Sequence, residues 1–202
     1  MEIVFATNNQ HKLEEVRRMF GTSLSVLSLN DIGCHDDIPE TADTLEGNAL
    51  IKARWVRDRY GRDCFADDTG LMVDALDGRP GVYSARYAGE QCSPDDNMVK
   101  LLAELEGVAD RSARFSTVMA LCLDGEEHTF TGTVEGLIAT DRAGHEGFGY
   151  DPVFIEKESG KRFAEMSAAE KDAVSHRGRA LRLLAAFLND NHLITGCDDS
   201  PR

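Results

Sequence analysis

Two adjacent carboxylates, Asp67 and Asp68, follow the apolar run Cys64-Phe65-Ala66 and precede Thr69-Gly70-Leu71. Like charges side by side where a buried strand ends repel one another and lose hydration, and a divalent cation or a shared proton is the usual remedy. The pair therefore points to metal or proton chemistry, with an Asx-type turn holding both carboxylates in water as the simpler alternative. Glu40, in a loop after Pro39, can add a further hard oxygen, because Mg²⁺ takes one or two carboxylates and fills its shell with water and phosphate. Taken alone, a loop glutamate is ordinarily solvated, and so is a helix lysine such as Lys52.

Three other segments have residue types suited to a ligand. Thr7-Asn8-Asn9-Gln10-His11-Lys12 is polar and sits where a strand gives way to a helix. Unpaired N–H groups, the positive end of the helix dipole and the Lys12 charge suit a phosphate there, although the glycines of a P-loop are missing and a plain polar turn with an N-cap fits equally well. In Gly147-Phe148-Gly149-Tyr150-Asp151-Pro152 the glycines allow close backbone approach, Phe148 can stack on a base and Asp151 can accept from ring nitrogens. A tight turn whose Phe and Tyr plug the core is the rival reading. The last segment is Lys171 with Ser175-His176-Arg177. In one straight helix Lys171 and His176 point about 140° apart, so they converge only if the helix breaks, with Ser175 capping a new one. Without such a break the run is a solvated charged face.

The elements that must position these groups follow from periodicity. Ile3-Val4-Phe5-Ala6 reads as a buried strand, with Leu13, Val16, Arg17 and Phe20 at helical spacing behind it. Thr44 caps a second helix carrying Leu45, Ala49, Ala53 and Val56 and ending near Gly61; Cys64-Phe65-Ala66 resumes as a strand. Ser93-Pro94-Asp95-Asp96 opens a third helix. Arg114–Leu123 and His128–Ile138 form a hairpin joined by Asp124-Gly125-Glu126-Glu127. Ser167-Ala168-Ala169-Glu170 is a capping box, and the leucine-rich stretch from Ala180 to Leu188 is the closing helix. Helices and strands alternate in the first half and a hairpin dominates the second. The expected fold is α/β, an elongated mixed sheet with flanking helices, forming one domain over 1–202 whose two lobes surround a central cleft. The tail from Gly196 to Arg202 is expected to be disordered.

Bulk properties narrow the function classes. A net charge of −14 disfavours a broad nucleic-acid surface, and no apolar run is long enough for a membrane span. A small phosphorylated ligand needs only a local cationic cluster. Met1 leads straight into Glu2-Ile3-Val4 without a basic leader, which gives a cytoplasmic expectation. The five cysteines (Cys34, Cys64, Cys92, Cys122 and Cys197) show no C-x-x-C pair, and are expected to stay reduced and pack mostly as small hydrophobes.

Taken in order, Thr7-Asn8-x-x-x-Lys12, Ala66-Asp67-Asp68-Thr69-Gly70, Pro80-Gly81-Val82-Tyr83-Ser84-Ala85-Arg86-Tyr87, Gly147-Phe148-Gly149-Tyr150-Asp151-Pro152 and Ser175-His176-Arg177 closely resemble the signature set of the inosine-triphosphate pyrophosphatase family. The resemblance runs from Thr7 to Arg177 and implies the ITPase/Maf-like fold. It implies hydrolysis of deaminated purine nucleotides (ITP, dITP, XTP) to monophosphate and pyrophosphate, with Mg²⁺ as cofactor and a homodimeric assembly. By the same resemblance Thr7, Asn8, Asn9, Gln10, His11, Lys12 and Lys171 hold the triphosphate with help from Lys52, and Glu40 and Asp68 ligate the metal. Asp68 is the implied general base. Phe148, flanked by Gly149, stacks on the purine, while Tyr150, Asp151, His176 and Arg177 read its edge. Thr69 stands where many relatives carry serine, which keeps the hydroxyl. Two rival functions remain at this point: a Maf-like pyrophosphatase acting on pyrimidine nucleotides, and a nucleotide-binding sensor without catalysis.

Overall fold

Ile3, Val4 and Phe5 are all buried, as a strand covered on both faces requires, and they form β1 (Glu2–Phe5). The computed structural model describes residues 1–91 and 93–194. Helix α1 (Gln10–Phe20) follows, then β2 (Ser25–Leu27), α2 (Leu45–Tyr60), β3 (Cys64–Val73), β4 (Pro80–Gly81) and α3 (Pro94–Glu104). The hairpin β5 (Ser112–Leu123) and β6 (Glu126–Ile138), then β7 (Phe154–Glu156), α4 (Ala168–Val174) and α5 (His176–Asp190) complete the order. The strands share one sheet in the order β2-β1-β3-β5-β6-β7, with β4 paired to β3. It is mixed: β1 is parallel to β2 and to β3, whereas β3–β4 and β6–β7 are antiparallel. The α/β expectation of a mixed sheet with flanking helices holds. Among the described residues no helix is long and apolar enough to cross a membrane.

The chain divides into two compact units. The first holds Met1–Asp68, Val118–Thr131 and Gly178–Arg202; the second holds Thr69–Thr117 and Gly132–Arg177. In the first, the sheet has an apolar cluster on each face. Ile3, Phe5, Phe65, Met119 and Leu121 pack with Leu13, Val16 and Phe20 of α1 and with Leu181, Leu184 and Leu188 of α5. Val4, Ala6, Cys64, Ala66, Val118 and Ala120 pack with Ala49, Ala53 and Val56 of α2. The membership alternates residue by residue along β1 and β3, as the pleat demands. The second unit is built on Leu71, Val73, Phe115, Val134, Phe154 and Phe163, with Met98 and Leu101 of α3.

The helix termini follow their local chemistry. Asn9 caps α1 by accepting from the Lys12 N–H, and Arg17 and Arg18 lie in its last turn, where the dipole favours cations. Thr44 caps α2, and Gly61 closes it at φ 59°. Ser93 caps α3 with Pro94 at its start, and the Ser167/Glu170 box opens α4. Ser175, extended at φ −68° and ψ 156°, separates α4 from α5, so the break required by the Lys171–His176 spacing is present.

Two boundaries differ from the sequence reading. Thr69-Gly70 resembles a turn, yet β3 runs through it for ten residues, so Asp67 and Asp68 lie inside the strand and not at its end. Tertiary pairing overrides the local preference: Leu71 and Met72 pair with β4, and the Leu71 N–H donates to Ser84 Oγ at 2.8 Å. The hairpin turn is Asp124-Gly125 alone, at φ 49° and 86°, the two left-handed residues of a type I′ turn. Glu126 and Glu127 belong to β6. Cys92, Cys197 and the tail Gly196–Arg202 lie outside the described residues.

Candidate active site

Asp67 and Asp68 are consecutive in β3, and the pleat sends their side chains to opposite faces. Each meets the helix that covers its face. On the α1 side, Lys12 Nζ lies 3.0 Å from both Oδ1 and Oδ2 of Asp67, a carboxylate only 1% exposed. On the α2 side, Asp68 is 7% exposed, with Lys52 Nζ 3.5 Å from its Oδ1 and the Asn48 amide donating to its Oδ2 at 3.2 Å. Asn48 and Lys52 are one helical turn apart on the buried stripe of α2, so both reach the same carboxylate. Lys52 also donates to Glu40 Oε1 at 2.5 Å and thereby gathers two carboxylates. The Asn48 side-chain oxygen accepts the Ala42 N–H at 2.9 Å, which fastens the loop following Glu40 to α2.

Burial pushes the Asp68 carboxyl above the ordinary carboxylate range, against the opposing pull of Lys52, and Glu40 adds to the rise. Burial alone would lower the Lys52 ammonium, but the attraction of Asp68, Asp67 and Glu40 outweighs it and the net shift is upward. Asp68 is therefore a stronger base than a solvated aspartate, beside a lysine that stays charged.

At the start of α1, Asn9 spends its side chain on the cap and its own N–H on Thr7 Oγ1 at 3.1 Å. Thr7, Asn8, Asn9 and Gln10, with Arg17 and Ser28, line a polar hollow of about 120 Å³ at this positive helix end. Asn8, Gln10 and His11 are exposed, and Gln10 also bonds Glu14 at 3.2 Å.

The second unit holds a separate aromatic and cationic cluster. Lys171 Nζ lies 4.8 Å, and the Arg177 guanidinium 5.6 Å, from the centre of the half-buried Phe148 ring. Asp151 is buried, and its Oδ2 accepts both the Phe148 N–H at 2.8 Å and Lys171 at 2.7 Å. Gly147 makes this possible: at φ 77°, any Cβ there would fall 2.0 Å from Asp151 Oδ2. Arg177 Nη2 donates to Thr69 Oγ1 at 3.3 Å, and Thr69 shares a 2.7 Å hydroxyl contact with the buried Thr117. His176 is buried and stacks on Phe115 with centroids 4.6 Å apart.

A profile of the Ham1 family matches residues 3–187. The chain belongs to the Ham1 family. Among its relatives, a protein of Flavobacterium psychrophilum named dITP/XTP pyrophosphatase is 52% identical over 190 residues, covering 94% of this chain and all of that protein. One of the same name from Porphyromonas gingivalis is 53% identical over 188 residues, covering 93% and 97% of the two chains. The solved structure of the Staphylococcus aureus Ham1 protein superposes with a TM-score of 0.86 at 41% identity, covering 95% of this chain and all of that one. A nucleoside-triphosphatase / dITP/XTP pyrophosphatase from Mycobacterium abscessus gives a TM-score of 0.74 at 43% identity, covering 93% and 99%.

Within this Ham1-family chain the residues anticipated for chemistry gather in two places. Lys12, Glu40, Lys52 and Asp68 lie in the first unit, and Thr69, Phe148, Asp151, Lys171, His176 and Arg177 in the second. Three of the anticipated side chains also have partners within the second unit. Lys171, expected on the triphosphate, is ion-paired with Asp151 in the second unit. Asp151, expected to face ring nitrogens, commits Oδ2 to Phe148 and Lys171. Tyr150, expected at the base edge, puts its ring in the core and donates its hydroxyl to the Ser84 carbonyl at 2.8 Å; burial pushes its pKa upward. Gly149 has open space around it at φ 63°. Asn48 and Thr117 carry no sequence expectation, Asp67 has one only as a member of the acidic pair, and the room at Gly147 is taken by Asp151. An asparagine one turn before Lys52, beside the alanines of the buried stripe, is the available signal for Asn48.

Proposed function

We propose that this chain is a Mg²⁺-dependent nucleoside-triphosphate pyrophosphatase that hydrolyses deaminated purine nucleotides, ITP, dITP and XTP, to the monophosphate and pyrophosphate. The observation that carries the proposal is the buried Asp68 carboxylate, raised in basicity, beside Lys52 and Glu40. The names of its close Ham1 relatives support the substrate class.

Glu40 and Asp68 suit Mg²⁺. Both are hard oxygen donors already drawn to one cationic centre, and Asp68 remains under-compensated enough for its pKa to rise. When bound, Mg²⁺ supplies positive charge to the phosphate oxygens. The protein's own groups do the rest. Lys12, held by Asp67, and the N–H groups at the start of α1 bind phosphate oxygens, and Lys52 offsets charge growing near Asp68. Asp68 accepts the proton of the water that attacks the α-phosphorus as the bond to the pyrophosphate group breaks.

Phe148 is the stacking surface for the purine, His176 and Arg177 are the donors that read its edge together with Tyr150 and Asp151, and Lys171 serves the triphosphate. A purine with a carbonyl oxygen at position 6 satisfies such donors, whereas the adenine amino group leaves a donor facing a donor. A cytoplasmic location and a homodimer belong to the same proposal through the family resemblance, and light scattering after size exclusion tests the assembly. The deciding experiment measures pyrophosphate release with and without Mg²⁺ across ITP, XTP, dITP, GTP, ATP, UTP and dTTP. We expect Mg²⁺-dependent release with kcat/KM for ITP, dITP and XTP far above ATP. Preference for UTP or dTTP favours the pyrimidine alternative, and binding without release favours a sensor.

A further inference from the structure

Away from these clusters, the first unit contains two thiols facing each other. Cys64 opens β3 and Cys122 is the penultimate residue of β5. The hydroxyls of Thr69 and Thr117 meet at 2.7 Å. The Asp124 N–H reaches Asp63 at the other end of the two neighbouring strands, so β3 and β5 run antiparallel, and stepping five residues along each from the threonine pair puts Cys64 opposite Cys122. Core packing agrees: Cys64, Ala66, Ala120 and Cys122 share the face covered by α2, while Phe65 and Leu121 share the other. Directly opposed residues of an antiparallel pair have Cα atoms about 4.5–5.5 Å apart, within the roughly 4.4–6.8 Å that a disulfide spans.

We propose that Cys64 and Cys122 form a dithiol site that a hydroperoxide oxidises to an intramolecular disulfide. Cys122 is the attacking thiol, because Arg57 Nη1 donates to its Sγ at 3.9 Å and favours the thiolate. The hydrogen bond with Cys64, followed by the Arg57 charge, holds Cys122 below the ordinary thiol range, whereas that bond and burial push Cys64 up. Cys64 Sγ also lies 3.1 Å from the Ala53 carbonyl oxygen.

With hydrogen peroxide as oxidant, Cys122 sulfur attacks one peroxide oxygen and the O–O bond breaks. The product is a sulfenic acid, and the other oxygen leaves as water with the Cys122 proton. Cys64 sulfur then displaces the hydroxyl from Cys122, and that oxygen leaves as a second water carrying the Cys64 proton. Two thiols are oxidised to one disulfide and one peroxide is reduced to two waters. Both thiols are buried, but they lie beside the Asp124-Gly125 hairpin tip, where Asp124 N–H bonds Asp63, and strand ends open at the lowest cost.

The test treats the full chain with stoichiometric hydrogen peroxide, alkylates it after denaturation, and maps disulfide peptides by mass spectrometry. The expected result is loss of two of the five alkylatable thiols, recovered with dithiothreitol, and a peptide joining Cys64 to Cys122. Persistence of both thiols, or a disulfide joining any other pair, overturns the proposal. The direction of attack has its own readout. Dimedone should label Cys122 in Cys64→Ala and leave Cys64 unlabelled in Cys122→Ala, and the reverse pattern removes the assignment of Cys122 as nucleophile. If either variant fails to fold, the wild-type peptide map decides the site.

Discussion

The Asn48 side-chain amide donates to Asp68 Oδ2 at 3.2 Å, while the oxygen of the same amide accepts the Ala42 N–H at 2.9 Å. One fully buried asparagine thus fixes the orientation of the proposed general base and the loop next to Glu40. Asn48→Ala removes both contacts. Groups that orient a ligand or base from behind typically cost about 10–100-fold in activity when lost, so kcat for ITP should fall by that order with a smaller change in KM. The orphaned Ala42 N–H should lower stability by about 1–3 kcal/mol. Steady-state kinetics and denaturant melts measure both, and an unchanged kcat in a folded variant removes Asn48 from the machinery.

Asp68→Asn should abolish turnover without unfolding the chain, a loss on the order of 10²–10⁴-fold for a missing general base. Stability should move the other way. The folded-state pKa of Asp68 lies above its ordinary value of 3.8, so the folded state holds this proton more tightly than the unfolded one. Its charge therefore begins to cost stability as pH rises past 3.8, and the full cost persists above the raised folded value. In metal-free buffer at pH 7, the Asn variant should melt no lower than wild type. A clear drop would mean that the Lys52–Asp68 attraction outweighs burial.

Gly147→Ala places a methyl group 2.0 Å from Asp151 Oδ2 at a backbone φ of 77°. Asp151 must move, and with it the bonds that hold the Phe148 N–H and Lys171. KM for ITP should rise on the order of tenfold, equivalent to about 1.4 kcal/mol of lost binding, while Asp68 is untouched. A variant with wild-type KM would separate the Phe148 loop from base recognition.

Glu127 accepts from Arg54 at 2.6 and 2.9 Å and from Arg57 at 2.6 Å, and these hydrogen bonds, Arg54 first, pull its pKa down to about 2. A depressed carboxylate stabilises the fold above its ordinary pKa of 4.5, and that contribution fades as pH falls toward about 2. Glu127→Gln should cost up to about 1 kcal/mol at pH 7, the scale of a solvent-screened pair. Denaturant titrations should show the gap to wild type narrowing between pH 4.5 and 2, and a gap that widens there would contradict the assignment.

Local chemistry made much of the fold legible. Thr44 and Gly61 bound α2, the Ser167/Glu170 box opens α4, and the roughly 140° separation of Lys171 and His176 calls for the break found at Ser175, because caps and periodicity act within a few residues. The failures are where distant chain segments decide. Thr69-Gly70 carries turn residues, but pairing with β4 keeps it extended. Asp67 and Asp68 read as one repelling pair needing a shared remedy, whereas each has its own lysine, one of them 55 residues away. The Tyr150 hydroxyl and one Asp151 carboxylate oxygen also have partners in the interior of the second unit, which the motif alone does not disclose. Residue type identified the participants, and only three-dimensional pairing assigned them their partners.

The alternation at Asp67 and Asp68 also bears on how this chain can change. Deleting a single residue in β3 upstream of the pair would bring Asp68 to the place beside Lys12, and inserting one would bring Asp67 to the place beside Lys52 and Asn48, each time moving the other aspartate away from both lysines. Phe65 and Ala66 can thus drift in identity as long as the interior stays filled, but the spacing through this stretch is pinned, and gaps should be tolerated in the surrounding loops before they are tolerated here.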